Sequence, residues 1–376
     1  TLIDIYGENF REAFKKELDK LREEGLNSSY KIVSFDKYDI DETIKFIYNE
    51  EEAKAKSKIK DKIKDWADKK ELAREIYEIK PYFYDSSKIW WSWNKSKKKW
   101  EKIDRTDILN MVSNNSEADT IKSTDKNEIL EAMKQIGRKK RPKEPPKHWI
   151  QFDNKIVDIK EGEEFEATPE YFITNPIPYE IGDSEETPTI DRIFEEWVGE
   201  EYKKTLYQII AYCVLPDYPI HRMFCLVGEG RNGKSCFQRL VKRFIGNDNI
   251  TSTDLSDLVK SRFERAKLYK KLVCILGETN FSTITRTSLI KRLTGQDPIS
   301  FEFKRKDPID DVNYAKILIA TNGLPFSEDQ SDGFYRRWCI VEFPNKFKGD
   351  KDILEEIPED KYFTASIKIF DAISGE

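Results

Sequence analysis

Apolar positions along the chain follow two periods, and the change between them divides it. Phe10, Phe14, Leu18 and Leu21 recur at helical spacing and are closed by Gly25, which predicts an opening helix. A long charged stretch over 41–80, with Ile59, Ile63 and Trp66 on one side, predicts a second helical region that Pro81 stops. The period then shortens. "YFYDSSKIWWSWNKSKKKWEKI" alternates and turns at Asp85-Ser86-Ser87 and at Asn94-Lys95, which predicts a small β-meander. Its aromatics form either the core of that sheet or, beside the lysines, an exposed stacking surface for single-stranded nucleic acid. "WIQFDNKIVDIKEG" predicts a hairpin turning at Asp153-Asn154, followed by an extended proline-containing stretch to about 188. "IDRIFEEWV" and "YKKTLYQIIAYCVL" then predict two amphipathic helices. From Arg222 to Phe347 short apolar runs alternate with helical segments, the pattern of an α/β core around a central parallel sheet, here preceded by a mixed α+β N-terminal region.

One interruption in that alternation carries chemistry. Between the apolar run "RMFCLV" and a helix whose Phe237, Leu240, Val241 and Phe244 share a face stands Gly228-Glu229-Gly230-Arg231-Asn232-Gly233-Lys234-Ser235. This fits G-x-x-x-x-G-K-[ST], in which glycines let backbone N–H groups turn towards a polyphosphate at a helix N-terminus. Gly228, Gly230, Asn232, Gly233, Lys234 and Ser235 are the expected nucleotide-binding residues. Lys234 is expected on the β- and γ-phosphates of ATP and the Ser235 hydroxyl on Mg2+.

Charge and composition narrow the class. The 376 residues are 36% charged with a net charge of -5, and no apolar run approaches the roughly 20 residues that span a bilayer. The start "TLIDIYGENF" has no signal-peptide form, so a cytoplasmic, intracellular protein with no membrane partner is expected. A chain opening at Thr1 reads as a piece of a longer protein. Five cysteines (Cys213, Cys225, Cys236, Cys274, Cys339) without a C-x-x-C pair read as core thiols. Only His148 and His221 exist, which removes a zinc ribbon and most triad chemistry. "KSKKKW" (Lys95 to Trp100) reads as a solvated loop or a nucleic-acid contact. The proline-containing basic segment 138–147 reads as a linker.

A nucleotide-driven machine also needs a carboxylate near the metal and water, a polar group on the γ-phosphate, and an arginine for transition-state charge. "KKLVCILGETN" is an apolar run ending in Glu278, "AKILIATN" a second ending in Thr321-Asn322, and "GFYRRWCIVEF" brings Arg336 and Arg337 just before a third. Between the first two, "LIKRLTGQDPISFEFKRKDPIDD" predicts a helix ending at Gly295 and a hairpin with Lys304, Arg305 and Lys306 at its tip.

Over roughly residues 145 to 370 the sequence resembles the superfamily 3 helicases of viruses and plasmids, in the poxvirus-type and phage or plasmid primase-helicase branch, with an AAA+ P-loop ATPase fold. By this resemblance "GEGRNGKS" is Walker A, and "LVCILGE" is Walker B with Glu278 as its acid and a metal contact. "ILIATN" is the sensor motif with Asn322, "YRRW" supplies the arginine finger, and "FKRK" is the DNA hairpin. Arg336 is the expected finger and Arg337 a structural or second phosphate contact. The family assembles as rings, usually hexamers, that bind ATP between subunits and pull single-stranded DNA through the centre 3′ to 5′. Glu278 stands alone rather than in a pair of acids, and it is expected on the water, the magnesium or both.

The chain thus divides into 1–137 as an N-terminal region, 138–147 as linker, 148–200 as a leader, 201–347 as the ATPase core and 348–376 as a shortened C-terminal helical region. Members of the branch often carry a primase-polymerase upstream. Here the only tempting acid pair, Asp39-Ile40-Asp41, precedes a helix and reads as an N-cap, so no polymerase site is expected and 1–137 is a connection to such a domain. Two other classes share the phosphate loop. A non-unwinding ATP-dependent loading module would bind ATP without DNA-stimulated turnover, and a small-molecule kinase would need a lid and an acceptor site.

Overall fold

The computed structural model describes residues 69–115, 123–181, 186–278, 287–304, 306–323, 329–348 and 353–357, all within the compact unit Lys56–Glu376. The helices expected before residue 69 lie outside these residues. Helix α1 (Lys69–Ile79) buries Leu72, Ala73 and Ile76 and stops short of Pro81, whose ring cannot continue a helix. Strands β1 (Tyr82–Tyr84), β2 (Trp90–Asn94) and β3 (Lys99–Ile103) then form the expected antiparallel meander. Helices α2 (Arg105–Asn114) and α3 (Ser123–Lys139) come next; Asp104 caps α2 in a reciprocal capping box with Asp107. The basic segment 138–147 begins inside the last turn of α3, and its Lys143 bridges to Tyr171.

The meander's aromatics are core. Trp90, Trp91, Trp93 and Trp100 are all at most 5% exposed, so the stacking-surface alternative does not hold for these rings. Lys99, in the neighbouring basic cluster, is itself buried and pairs with Asp248 at 2.8 Å. Strands β4 (Trp149–Gln151), β5 (Ile156–Asp158) and β6 (Glu164–Phe165) extend the expected hairpin by one strand. Helices α4 (Pro188–Val198) and α5 (Glu200–Val214) lead into the main sheet.

The alternation beyond Arg222 builds β7 (Met223–Val227), α6 (Lys234–Ile245), β8 (Ile250–Ser252), α7 (Leu255–Lys260), α8 (Arg262–Arg265), β9 (Val273–Glu278), α9 (Thr287–Thr294), the antiparallel pair β10 (Pro298–Phe301) and β11 (Ile309–Val312), β12 (Lys316–Thr321), α10 (Asp332–Tyr335) and β13 (Trp338–Glu342). Five strands pair in the order β13-β7-β12-β9-β8, every pair parallel. Parallel strands are covered on both faces and so read as apolar runs. On one face Phe224, Leu226, Ile275, Leu318 and Val341 pack against Phe237, Leu240, Val241 and Phe244 of α6 and the apolar sides of α4 and α5. On the other face Met223, Cys225, Cys274, Leu276, Ile317 and Ile319 pack against α7, α9, the β10–β11 hairpin and the aromatic meander.

Chain order and spatial order differ in one informative way. The connection after β7 runs towards β8, at the far side of β12 and β9, whereas the connection after β12 runs back past β7 to β13. Adjacent strands whose connections leave in opposite directions open a crevice at their carboxyl ends, the place where open α/β sheets bind ligands.

Candidate functional site

The glycine-rich loop occupies that crevice, between the end of β7 and the start of α6. Its shape needs glycine at two positions above all. A Cβ on Gly228 would meet Asn232 Nδ2 at 1.8 Å and the Phe343 carbonyl oxygen at 2.7 Å. At Gly233, φ is +94° and a Cβ would meet the Trp197 indole nitrogen at 2.5 Å. Gly230 and Arg231 also have positive φ, 103° and 52°. Left-handed residues in such a loop allow a run of backbone N–H groups to face one concavity, a cradle for an anion.

The loop is tied down on three sides. Gly228 N–H donates to the Thr321 carbonyl at the end of β12, 3.2 Å, and Phe347 N–H donates to the Arg231 carbonyl, 2.8 Å. Asn232 Nδ2 donates to the Phe343 carbonyl just after β13, 3.0 Å. Lys234 is 6% exposed, and its ammonium donates to the Gly228 carbonyl at 2.5 Å and to Asn232 Oδ1 at 2.8 Å. Helix α6 carries no acidic residue in its first turn, and no side chain caps its N-cap Gly233, so its positive dipole end meets no carboxylate of its own. Ser235 is exposed in that first turn.

The other expected residues converge in part. Register places Val227 beside Thr321, and Ala320 beside Glu278, so the ends of β7, β12 and β9 form one edge that carries Glu278 and, next after Thr321, the exposed Asn322. Arg336 and Arg337 come directly after α10 and differ sharply in setting. Arg336 is exposed. Arg337 is 8% exposed and donates to Thr294 Oγ1 at 3.0 Å, to the Gly333 carbonyl and, at 3.4 Å, to the Lys291 carbonyl, joining α10 to α9. Burial and the neighbouring Arg336 charge pull its guanidinium down from the ordinary value.

The hairpin tip lies against the meander. Lys304 and Lys306 are exposed, and Arg305 lies outside the described residues. Lys306 Nζ donates to the Lys88 carbonyl at 3.2 Å, Lys88 pairs with Asp307 at 2.8 Å, and Lys102 Nζ stands 4.1 Å above the Phe303 ring. Burial and the Lys306 charge lower the Lys102 ammonium. Of the cysteines, Cys213, Cys225 and Cys274 are buried, and burial pushes their thiols up to about 12, while Cys236 and Cys339 are only half-buried.

Two residues at the site were not singled out by motif. Trp197 backs Gly233, and nothing in its own helix pattern marks it off from a core tryptophan. Gln238 does leave a signal, a polar residue within the buried face of α6, where it donates to the Leu276 carbonyl of β9 at 3.0 Å. Among the described residues no cluster of three His, Cys, Asp or Glu side chains could hold a metal, and no helix is long and apolar enough to cross a membrane.

Comparison with known proteins places this edge within a shared segment. Residues 226–337 match a family model described as a family of unknown function, DUF5906. Over 272 residues the chain is 25% identical to a protein of Acanthamoeba polyphaga mimivirus named as a candidate helicase. That alignment covers 68% of this chain and 27% of the viral protein, so the chain spans about a quarter of that relative's length. In fold it is similar to an apo structure of the NrS-1 C-terminal region, with a TM-score of 0.50 at 14% identity, covering 80% of this chain and 67% of that one.

Proposed function

We propose that this chain is the motor part of an ATP-dependent replicative DNA helicase of the superfamily 3 type, a ring translocase on single-stranded DNA. The observation that carries the proposal is the glycine-rich loop at the switch point, with Asn322 next after the adjacent strand β12 and Glu278 ending β9 beyond it. Gly228, Gly230, Asn232 and Gly233 shape the cradle, and Lys234, already held at the loop, moves onto the phosphates when ATP enters. Asn322 contacts the γ-phosphate, and Glu278 polarises the attacking water. Ser235 and Glu278 are the residues that would hold Mg2+, which when bound would neutralise phosphate charge while taking only one or two protein oxygens. The viral relative's name supports the activity class.

Arg336 is the finger that reaches a neighbouring subunit's nucleotide, and Arg337 holds α10 in place behind it. Tyr335 and Ile340 beside it are 54% and 46% exposed, apolar surface that a contact between subunits of a hexameric ring would cover. Lys304, Arg305 and Lys306 take the phosphate backbone of single-stranded DNA, moving 3′ to 5′, inside the host cell of a virus or plasmid. The segments 1–137 and 138–147 connect this motor to an upstream primase-polymerase, with 148–200 as leader, 201–347 as motor and 348–376 as a C-terminal region.

The test is ATP hydrolysis with and without single-stranded DNA, in the parent chain and in Lys234→Ala and Lys304→Ala. Lys234→Ala should abolish turnover; Lys304→Ala should keep basal turnover and lose most DNA stimulation. Turnover that DNA leaves unchanged in an assembled parent would instead favour the loading module.

A further inference from the structure

We infer that Gln238 is a positioning residue that sets the end of β9, and with it Glu278, against the phosphate loop. The inference rests on the nucleotide-hydrolase reading of this site and adds a residue to it.

The ladder between β9 and β12 has a break. Its partners run Leu276 with Ile319 and then Glu278 with Ala320, so Gly277 is skipped. An extra residue of this kind disrupts the ladder and leaves the strand locally less restrained by its neighbour. The residue next after Gly277 is Glu278, the last of β9. Immediately before the irregularity, the Leu276 carbonyl accepts a 3.0 Å hydrogen bond from Gln238 Nε2, which also approaches the Leu318 carbonyl of β12 at 3.5 Å. One side-chain amide therefore spans both strands at the point where their register changes.

Its place on α6 links that point to the loop. Gln238 stands four residues after Lys234, one turn along the same side of the helix. Lys234 bonds the loop and Gln238 bonds the strand ends, so a single rigid helical turn fixes the distance between the phosphate cradle and the Gly277 irregularity. Packing alone does not require glutamine here. The neighbours Phe237, Leu240 and Val241 are apolar and buried, and an amide at 8% exposure carries a desolvation cost that only its hydrogen bonds offset. A polar residue that breaks a core pattern is expected where function requires it.

The experiment compares the parent chain with Gln238→Leu and Gln238→Glu, measuring ADP affinity, kcat for ATP, and thermal stability across pH. Gln238→Leu keeps the volume and loses the donor. It should bind ADP within about 2-fold of the parent and lose about 10- to 100-fold in kcat, the scale of a misplacement near 1 Å at a reacting centre. In Gln238→Glu the carboxylate faces a carbonyl, and only its protonated form can donate. Its kcat relative to the parent should therefore rise as pH falls, while the Gln238→Leu ratio stays flat. Parent-like kcat in Gln238→Leu, equal losses of ADP binding, kcat and stability, or a flat ratio for Gln238→Glu would each overturn the inference while leaving the hydrolase reading intact. A parent that neither binds ADP nor turns over ATP would overturn both.

Discussion

Lys316 stands in the central strand β12 with no exposed surface. Its ammonium donates to the Leu215 carbonyl and lies 5.1 Å from the Tyr212 ring and 5.9 Å from that of Tyr218. Burial lowers it from 10.5 to about 7, against smaller pulls from Cys213 and Asp217. Proton counting gives the sign of its effect on stability. Between about 7 and 10.5 the unfolded chain holds the proton and the folded chain does not, so stability rises with pH in that window. The penalty is complete below the lower value and gone above the upper. Lys316→Met should raise stability at neutral pH and remove a slope of up to about 1.4 kcal/mol per pH unit. Urea midpoints of parent and variant across that window check this, and parallel pH curves would refute it. Sequence alone shows a lysine beginning an apolar run, which reads equally well as a strand end in water. Only the aromatic pocket of Tyr212 and Tyr218, about a hundred residues away in the chain, makes it interior.

At the scale of elements, α10 and the turn after it separate two arginines that look interchangeable in "YRRW". Arg337 bonds Thr294, Gly333 and Lys291 from the interior, whereas Arg336 is exposed. Arg337→Met leaves several buried acceptors without a donor and should cost about 1–3 kcal/mol of stability, lowering the melting temperature together with activity. Arg336→Ala should keep the melting temperature and lose ATP turnover in the assembled protein. Denaturation curves beside turnover measurements separate the two; a stability loss in Arg336→Ala with normal turnover would reverse the assignment. The elements themselves were legible because parallel strands covered on both faces must be apolar throughout, and glycine, lysine and serine interrupt them only where the loop turns. β8 was less so, since three residues with only Ile250 buried leave no period to read. The Gly277 irregularity was not legible either, because it exists only in the pairing of β9 with a strand some forty residues later.

Across the whole molecule, the least legible property is how the N-terminal meander relates to the parallel sheet. Composition draws a boundary at 138–147, yet one buried cluster runs from Phe83, Trp91, Trp93 and Trp100 through Phe172 to Met223, Cys225, Leu276 and Ile319. Phe83 meets Trp100 and Phe172 edge-on at 5.1 and 5.2 Å, and the Trp100 indole N–H donates to the Tyr171 carbonyl at 3.0 Å. Aromatic alternation shows that one side of the meander is apolar; it does not say whose core that side completes. A shared core should melt as one unit, because opening either part exposes apolar surface of the other. Trp100→Ala, in β3 and far in sequence from the phosphate loop, should therefore cost about 3–5 kcal/mol and lower the unfolding midpoint of the parallel sheet along with that of the meander. Hydrogen exchange of the β1–β3 amides along the denaturation curve tracks the meander, and loss of ATP binding tracks the loop. Coincident midpoints that shift together in the variant are expected, whereas a meander that melts early while ATP binding persists unchanged would show two independent cores.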